Sequence, residues 1–226
     1  MANISYKKLT TFTIIGWFLA ILFLILIILA VSGVFNTKDG DDIDDIEEHL
    51  TKKYYDRDQR DISRLTTHNI ECDGGASALS SFQLKKDSND NFWYAFNCVG
   101  NPFAKKSIDT KYTNNTSLNN VDVTSLTNHE INCGTKSYLA KLKMTAKGSG
   151  DNAEYLYEYG CKPTENGMTL LCGEEKKTEA KLLNSNKSYG SLTDHAIKCD
   201  KGSYLNYLKF QSAGDGKYQY VYKCCR

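Results

Sequence analysis

Apolar positions run unbroken near the start of the chain, recur at helical spacing for a short stretch after it, and alternate with polar ones through much of the remainder. From Leu9 to Thr37 there is no charged residue, and the centre of that run, Ile14 to Val31, is almost wholly aliphatic or aromatic. A helix needs about 20 apolar residues to cross bilayer hydrocarbon, so this run predicts a transmembrane helix over residues 13–35. The alternative is a cleaved signal peptide, for which Ala30-Val31-Ser32-Gly33 would offer small residues. Its apolar core would be only about 7–15 residues long.

Ile43, Ile46, Leu50 and Tyr54 recur at helical spacing within Asp41–Asp58. They predict a short helix inside an acidic juxtamembrane stalk over residues 36–64. The stalk's carboxylates lack the ordered ligand pattern and closing Glu of a calcium loop, so they read as a solvated face.

Beyond residue 64 the period is two, the signature of strands, and the pattern repeats. Leu65-Thr-Thr-His68-Asn-Ile70-Glu-Cys72, Leu126-Thr-Asn-His129-Glu-Ile131-Asn-Cys133 and Leu192-Thr-Asp-His195-Ala-Ile197-Lys-Cys199 share the form Leu-Thr-x-His-x-Ile-x-Cys. Each is followed by a turn and by an apolar run: Leu79-x-x-Phe82-x-Leu84, Leu139-x-x-Leu142-x-Met144 or Leu205-x-x-Leu208-x-Phe210. After a second turn, each module closes on alternating aromatics that end in cysteine: Phe92/Tyr94/Phe96/Cys98, Tyr155/Tyr157/Tyr159/Cys161 and Tyr218/Tyr220/Tyr222/Cys224. Three copies of one module predict an all-β head of about nine to twelve strands. Strands from the linkers, at Ser107–Tyr112 and at Met168–Cys172 or Ala180–Leu183, would supplement the modules.

The opening reads as one strand with His, Ile and Cys on a shared face, so His68, His129, His195, Ile70, Ile131 and Ile197 are candidate core residues. If opening and closing strands come together, in one ladder or between sheets, their cysteines pair as Cys72–Cys98, Cys133–Cys161 and Cys199–Cys224. Cys172 and Cys225 then pair with each other, and exchange between the vicinal Cys224 and Cys225 is the competing arrangement. All eight cysteines lie after the apolar segment, which fits an oxidising compartment better than reduced buried thiols. Each module bridge closes a loop of about 25 residues, worth roughly 3 kcal/mol in the chain-entropy picture.

Lys7 and Lys8 precede the apolar segment and a run of acidic residues follows it. Basic flanks stay inside, so the N-terminus is expected to be cytoplasmic or interior and the C-terminal head outside. The expected locations are the cell surface, a secretory lumen or a virion membrane. The chain divides into a tail (1–12), the transmembrane helix (13–35), the stalk (36–64), repeat one (65–100), a linker (101–125), repeat two (126–162), a second linker (163–191) and repeat three (192–226). A net charge of +1 argues against a nucleic-acid partner.

The three repeat histidines could meet on a threefold axis and bind zinc. Each also shares a face with a half-cystine, and the simpler expectation is a core histidine bonded to a closing-strand tyrosine or a carbonyl. No metal or other cofactor is assigned. No nucleophile elbow, P-loop or His-Glu-x-x-His motif is present, and no enzymatic activity is expected. Trp93, Tyr138, Tyr189, Tyr204 and Tyr207 are candidate exposed aromatics; of these Trp93, Tyr138 and Tyr204 are the chosen ligand contacts, for a lectin-like alternative that stacks sugars on ring faces. Asn114, Asn115 and Asn186 stand in glycosylation sequons.

The order Cys, Gly, apolar-x-apolar, aromatic, Cys over residues 65–226 resembles the repeats of the vitelline membrane outer layer family. That resemblance implies a three-sheet β-prism; the family's Asp-Asp-Thr-Ala element has no counterpart here. A β-trefoil also satisfies pseudo-threefold closure, and three small sandwiches on a string is the remaining arrangement. The whole chain, with a Lys-bearing tail, one Ile/Leu-rich anchor and an Asn/Lys-rich head, looks like membrane or minor capsid proteins of large DNA viruses. The expectation is a type II membrane protein whose head makes structural or adhesive contacts with capsid or surface proteins. Its partners would be the lipid bilayer and those proteins, with a glycan in the alternative.

Overall fold

The computed structural model describes residues 48–226, apart from 58, 60–61, 74, 115, 118–121, 149–153 and 185. The expected tail, the expected transmembrane helix over 13–35 and the expected stalk up to residue 47 lie outside the described residues, as does Asn115. Among the described residues no helix is long and apolar enough to cross a membrane.

These residues form an all-β head. The first repeat and the segment before it supply β1 (Glu48–Leu50), β2 (Tyr54–Tyr55), β3 (Asn69–Glu71), β4 (Ser77–Lys86) and β5 (Asn91–Gly100). The second supplies β6 (Asp109–Tyr112), β7 (Thr116–Ser117), β8 (Glu130–Asn132), β9 (Ser137–Lys147) and β10 (Glu154–Pro163). The third supplies β11 (Lys176–Lys177), β12 (Lys181–Leu182), β13 (Ile197–Lys198), β14 (Tyr204–Gly214) and β15 (Lys217–Cys225).

Three five-stranded sheets result, each built on one antiparallel hairpin: β4–β5, β9–β10 or β14–β15. The linker strands lie along the closing strand of their own hairpin: β1 and β2 on β5, β6 and β7 on β10, β11 and β12 on β15. The short opening strands instead cross to a neighbour. β3 pairs β9, β8 pairs β14, and β13 pairs β4. Each sheet therefore receives its outermost strand from another repeat, and the exchange closes in a ring.

This exchange settles where opening and closing strands meet. They lie in different sheets, so the cysteines pair between sheets and not across one ladder. Two other expectations are corrected. Glu48–Leu50 and Tyr54–Tyr55 are strands, so Leu50 and Tyr54 do not belong to a helix. The segment pairs instead with an existing ladder, which satisfies its backbone: the Thr51 N–H donates to the Tyr94 carbonyl at 2.9 Å. The first half of each opening is a 3₁₀ turn and not a strand: Ile62–Thr67, Val123–Asn128 and Tyr189–Asp194. The repeated threonine explains it. Thr66, Thr127 and Thr193 each return a side-chain hydrogen bond to the carbonyl three residues back, at 2.6, 2.8 and 2.7 Å.

The apolar runs contain a phase break that the backbone resolves. Leu79 and Phe82 are three apart, yet both are buried. An extra residue, Ser80, Ala140 or Asn206, bulges from β4, β9 or β14 at the same place in each hairpin. The bulge carbonyls do a second job. Ala140 accepts from the Cys72 N–H at 2.8 Å, Asn206 from Cys133 at 3.1 Å and Ser80 from Cys199 at 2.9 Å.

β4, β9 and β14 touch one another. Their inward residues, with Ile70, Ile131, Ile197 and the 3₁₀ leucines Leu65, Leu126 and Leu192, form one continuous core. A separate apolar cluster of Ala78, Tyr138, Tyr204, Leu170, Ala104 and Cys225 closes the half-cystine end.

Candidate functional site

The distinctive chemistry of the head is concentrated where one sheet meets the next. Cys72 leaves the edge of the second sheet and bonds to Cys98 of the first. Cys133 likewise joins the third sheet to Cys161 of the second, and Cys199 joins the first sheet to Cys224 of the third. These three bridges and Cys172–Cys225 leave no free cysteine among the described residues. They are the pairs that the repeat spacing predicts.

Each corner carries a second stitch at its other end. Thr51 Oγ1 lies 2.9 Å from His68 Nδ1, Thr113 Oγ1 2.9 Å from His129 Nδ1, and Thr178 Oγ1 2.9 Å from His195 Nδ1. Each threonine oxygen also accepts the backbone N–H of a closing-strand tyrosine: Tyr94 at 2.8 Å, Tyr157 at 2.9 Å and Tyr220 at 3.0 Å. With that N–H as a donor, the hydroxyl hydrogen is available to the imidazole. The oxygen keeps a second lone pair as well, so it can serve Nδ1 as donor or as acceptor according to the tautomer of the ring. At His129 a hydrogen bond with the Asn114 backbone favours the protonated imidazole, against the larger effect of burial.

The histidines are therefore core residues, but their partner is a threonine from the segment that precedes their own repeat. The tyrosine contact is made by ring packing instead: His68–Tyr94, His129–Tyr157 and His195–Tyr220 meet edge to face at 5.5, 5.6 and 5.8 Å. Burial disfavours the charged imidazole. It lowers His68 to about 4 and shifts His129 and His195 down as well. Burial likewise raises Tyr94, Tyr157 and Tyr220, which stay neutral phenols.

Held one to a corner, the three histidines do not converge, and among the described residues no group of three His, Cys, Asp or Glu is placed to hold a metal ion. The zinc arrangement is not formed. The expected aromatic ligand contacts also separate. Tyr138 and Tyr204 are buried and pack on each other at 5.0 Å, while the Tyr204 hydroxyl donates to the Gly100 carbonyl. Tyr189 is buried as well, with its hydroxyl on Asp56 at 2.6 Å. Trp93 remains half-buried with Lys53 Nζ 4.1 Å from its ring centre, and Tyr207 is half-buried. Asn114 and Asn186 are exposed.

Two features escaped the sequence pattern. Lys162 is buried and its ammonium donates to the carbonyls of Cys72 at 3.1 Å and Gly75 at 2.8 Å, although it stands where the other repeats have Val99 and Cys225. Burial pushes its pKa down. A surface cleft of about 300 Å³ lies beside the fourth bridge, lined by Leu171, Cys172, Glu174, Lys176, Asp200, Lys201, Cys224 and Arg226 among others.

No family model, no curated protein and no solved structure matches this chain.

Proposed function

We propose that this chain is a single-pass, type II membrane protein without enzymatic activity. Its head, a three-sheet β-prism, presents a rigid surface for structural or adhesive contacts with other proteins, as a virion membrane or minor capsid protein would. The apolar segment 13–35 sets its position and the basic Lys7 and Lys8 set its orientation. The prism assignment is supported by three sheets that exchange their outermost strands in a ring.

The observation that carries the reading is the double stitching of the corners. Every pair of sheets is joined by a disulfide at one end and, at the other, by a hydrogen bond between a threonine and a buried histidine. Such construction suits a body that must keep its shape while bearing contacts. Its conserved chemistry within the repeats is spent on holding sheets together.

The test uses the full chain made in sealed microsomes. The head should resist added protease until the bilayer is opened, and the chain should stay with the membrane at alkaline pH. Crosslinking from the native membrane or particle should then recover a protein partner. Digestion of the head in sealed vesicles, or release of the chain at high pH, overturns the topology. Retention of the membrane topology with sugar-competed binding and no protein contact would replace the scaffold by the lectin.

A further inference from the structure

Cys172–Cys225 is set apart from the three corner bridges by position, exposure and surroundings. It has no counterpart in the other repeats: Val99 and Lys162 stand where the third has Cys225. The corner sulfurs lie deep. Cys72, Cys133, Cys161, Cys199 and Cys224 are buried and Cys98 is half-buried. Cys172 alone is exposed, and its partner Cys225 is fully buried. Cys172 also lines the 300 Å³ cleft, whose cationic side chains are Lys176, Lys201 and Arg226 and whose carboxylates are Glu174 and Asp200.

Thiol–disulfide exchange requires a thiolate to reach one sulfur in line with the bond, and its rate rises with access and with positive charge nearby. Cys172 offers the most access of the eight, ahead of the half-buried Cys98. We propose that Cys172–Cys225 is a thiol-exchange site for a small anionic thiol of the glutathione class, while the three corner bridges are structural.

The thiolate attacks Cys172 Sγ, forming a mixed disulfide there. The Cys172–Cys225 bond breaks, its electron pair leaves on Cys225, and the proton given up by the incoming thiol is taken by Cys225 or by water. A second thiolate then attacks the incoming sulfur of the mixed disulfide and frees Cys172. In sum, one protein disulfide is reduced to two thiols and two small thiols are oxidised to one disulfide. The direction of attack follows from burial: Cys225 is reached only through its partner.

The strap that this bridge secures runs from Leu170 to Gly173. It is held besides by the Leu171 and Arg226 backbones, which exchange hydrogen bonds at 3.0 Å in both directions, and by the Gly173 N–H on the Cys224 carbonyl at 3.0 Å. These bonds keep Cys172 beside Cys225 after opening, so the bridge can close again.

The experiment treats the full chain in membranes or detergent with limiting glutathione, quenches with acid, alkylates and maps the peptides. Glutathione should appear on Cys172 and the alkylating label on Cys225, roughly tenfold sooner than at any corner cysteine. The double variant C172S/C225S should lose the adduct and keep three intact bridges. Opening of a corner bridge first or at the same rate, or glutathione found on Cys225, overturns the proposal. The charge requirement has its own arm: Lys201→Glu should slow glutathione several-fold relative to neutral 2-mercaptoethanol. An unchanged ratio rejects the anionic class of thiol.

Discussion

Thr113 Oγ1 sits 2.9 Å from His129 Nδ1 while accepting the Tyr157 N–H at 2.9 Å, so one hydroxyl ties a linker, a 3₁₀ turn and a closing strand together. The same triad recurs at Thr51–His68–Tyr94 and Thr178–His195–Tyr220. Its recurrence makes it a structural rule of the repeat, and its chemistry can be tested one atom at a time.

Replacing Thr113 by Val keeps the shape and removes the hydroxyl. The Tyr157 N–H and His129 Nδ1 both lose their partner, and an unsatisfied buried polar group costs about 1–3 kcal/mol. Chemical denaturation should show a loss of that size, and Thr113→Ser should restore most of it. Equal stability of Thr113→Val and the parent protein would remove the triad from the account.

The buried histidines set a pH dependence. In the folded head their pKa values lie below the unfolded value of about 6.5, with His68 at about 4. The unfolded chain therefore binds the protons more tightly. Stability is full above about pH 6.5, falls as the pH drops below it, and continues to fall until the folded pKa is passed. Thermal melts between pH 7.5 and 4 should show this decline. In His68→Gln the decline should be shallower, whatever its starting stability.

Removal of a corner bridge should cost more than removal of a surface ion pair. Cys133 and Cys161 are 28 residues apart, and cutting a bridge of that span typically costs about 2–4 kcal/mol. The double variant C133A/C161A should lose stability in that range by denaturant titration. By contrast, Lys176→Ala breaks an exposed contact with Asp200 and should change stability by less than about 1 kcal/mol.

Gly160 sits where β10 lies against the first linker. A Cβ there would lie 2.5 Å from Ile108 Cγ2 and 2.9 Å from Lys141 Cβ. Gly160→Ala should therefore overpack the site and destabilise the head by about 1–3 kcal/mol. Removing the clashing methyl in the pair Gly160→Ala/Ile108→Ala should recover part of that loss, read as a non-additive double-mutant cycle.

Much of this head was legible in the sequence. The alternating aromatics before Cys98, Cys161 and Cys224 marked the closing strands, and the shared spacing selected the half-cystine partners. Even the bulge left a trace, as the three-residue step from Leu79 to Phe82 inside a period-two run. The threonines were harder to see. Thr51, Thr113 and Thr178 stand 17, 16 and 17 residues before their histidines, a regular offset hidden among many other threonines. Leu50 and Tyr54 misled, because two apolar residues four apart also occur in two short strands separated by a turn.

The strand exchange was not legible, and the reason is physical. Ile70, Ile131 and Ile197 sit in near-identical local patterns, so nothing within a repeat distinguishes its own hairpin from its neighbour's. What the chain encodes locally is period, turn and half-cystine spacing, because these depend on residues close in sequence. Which hairpin receives β3, β8 or β13, how deeply His68, Tyr138 and Lys162 are buried, and why Cys172 alone faces solvent depend on contacts between distant segments. Those were decided only when the three sheets closed on one another and shared one core.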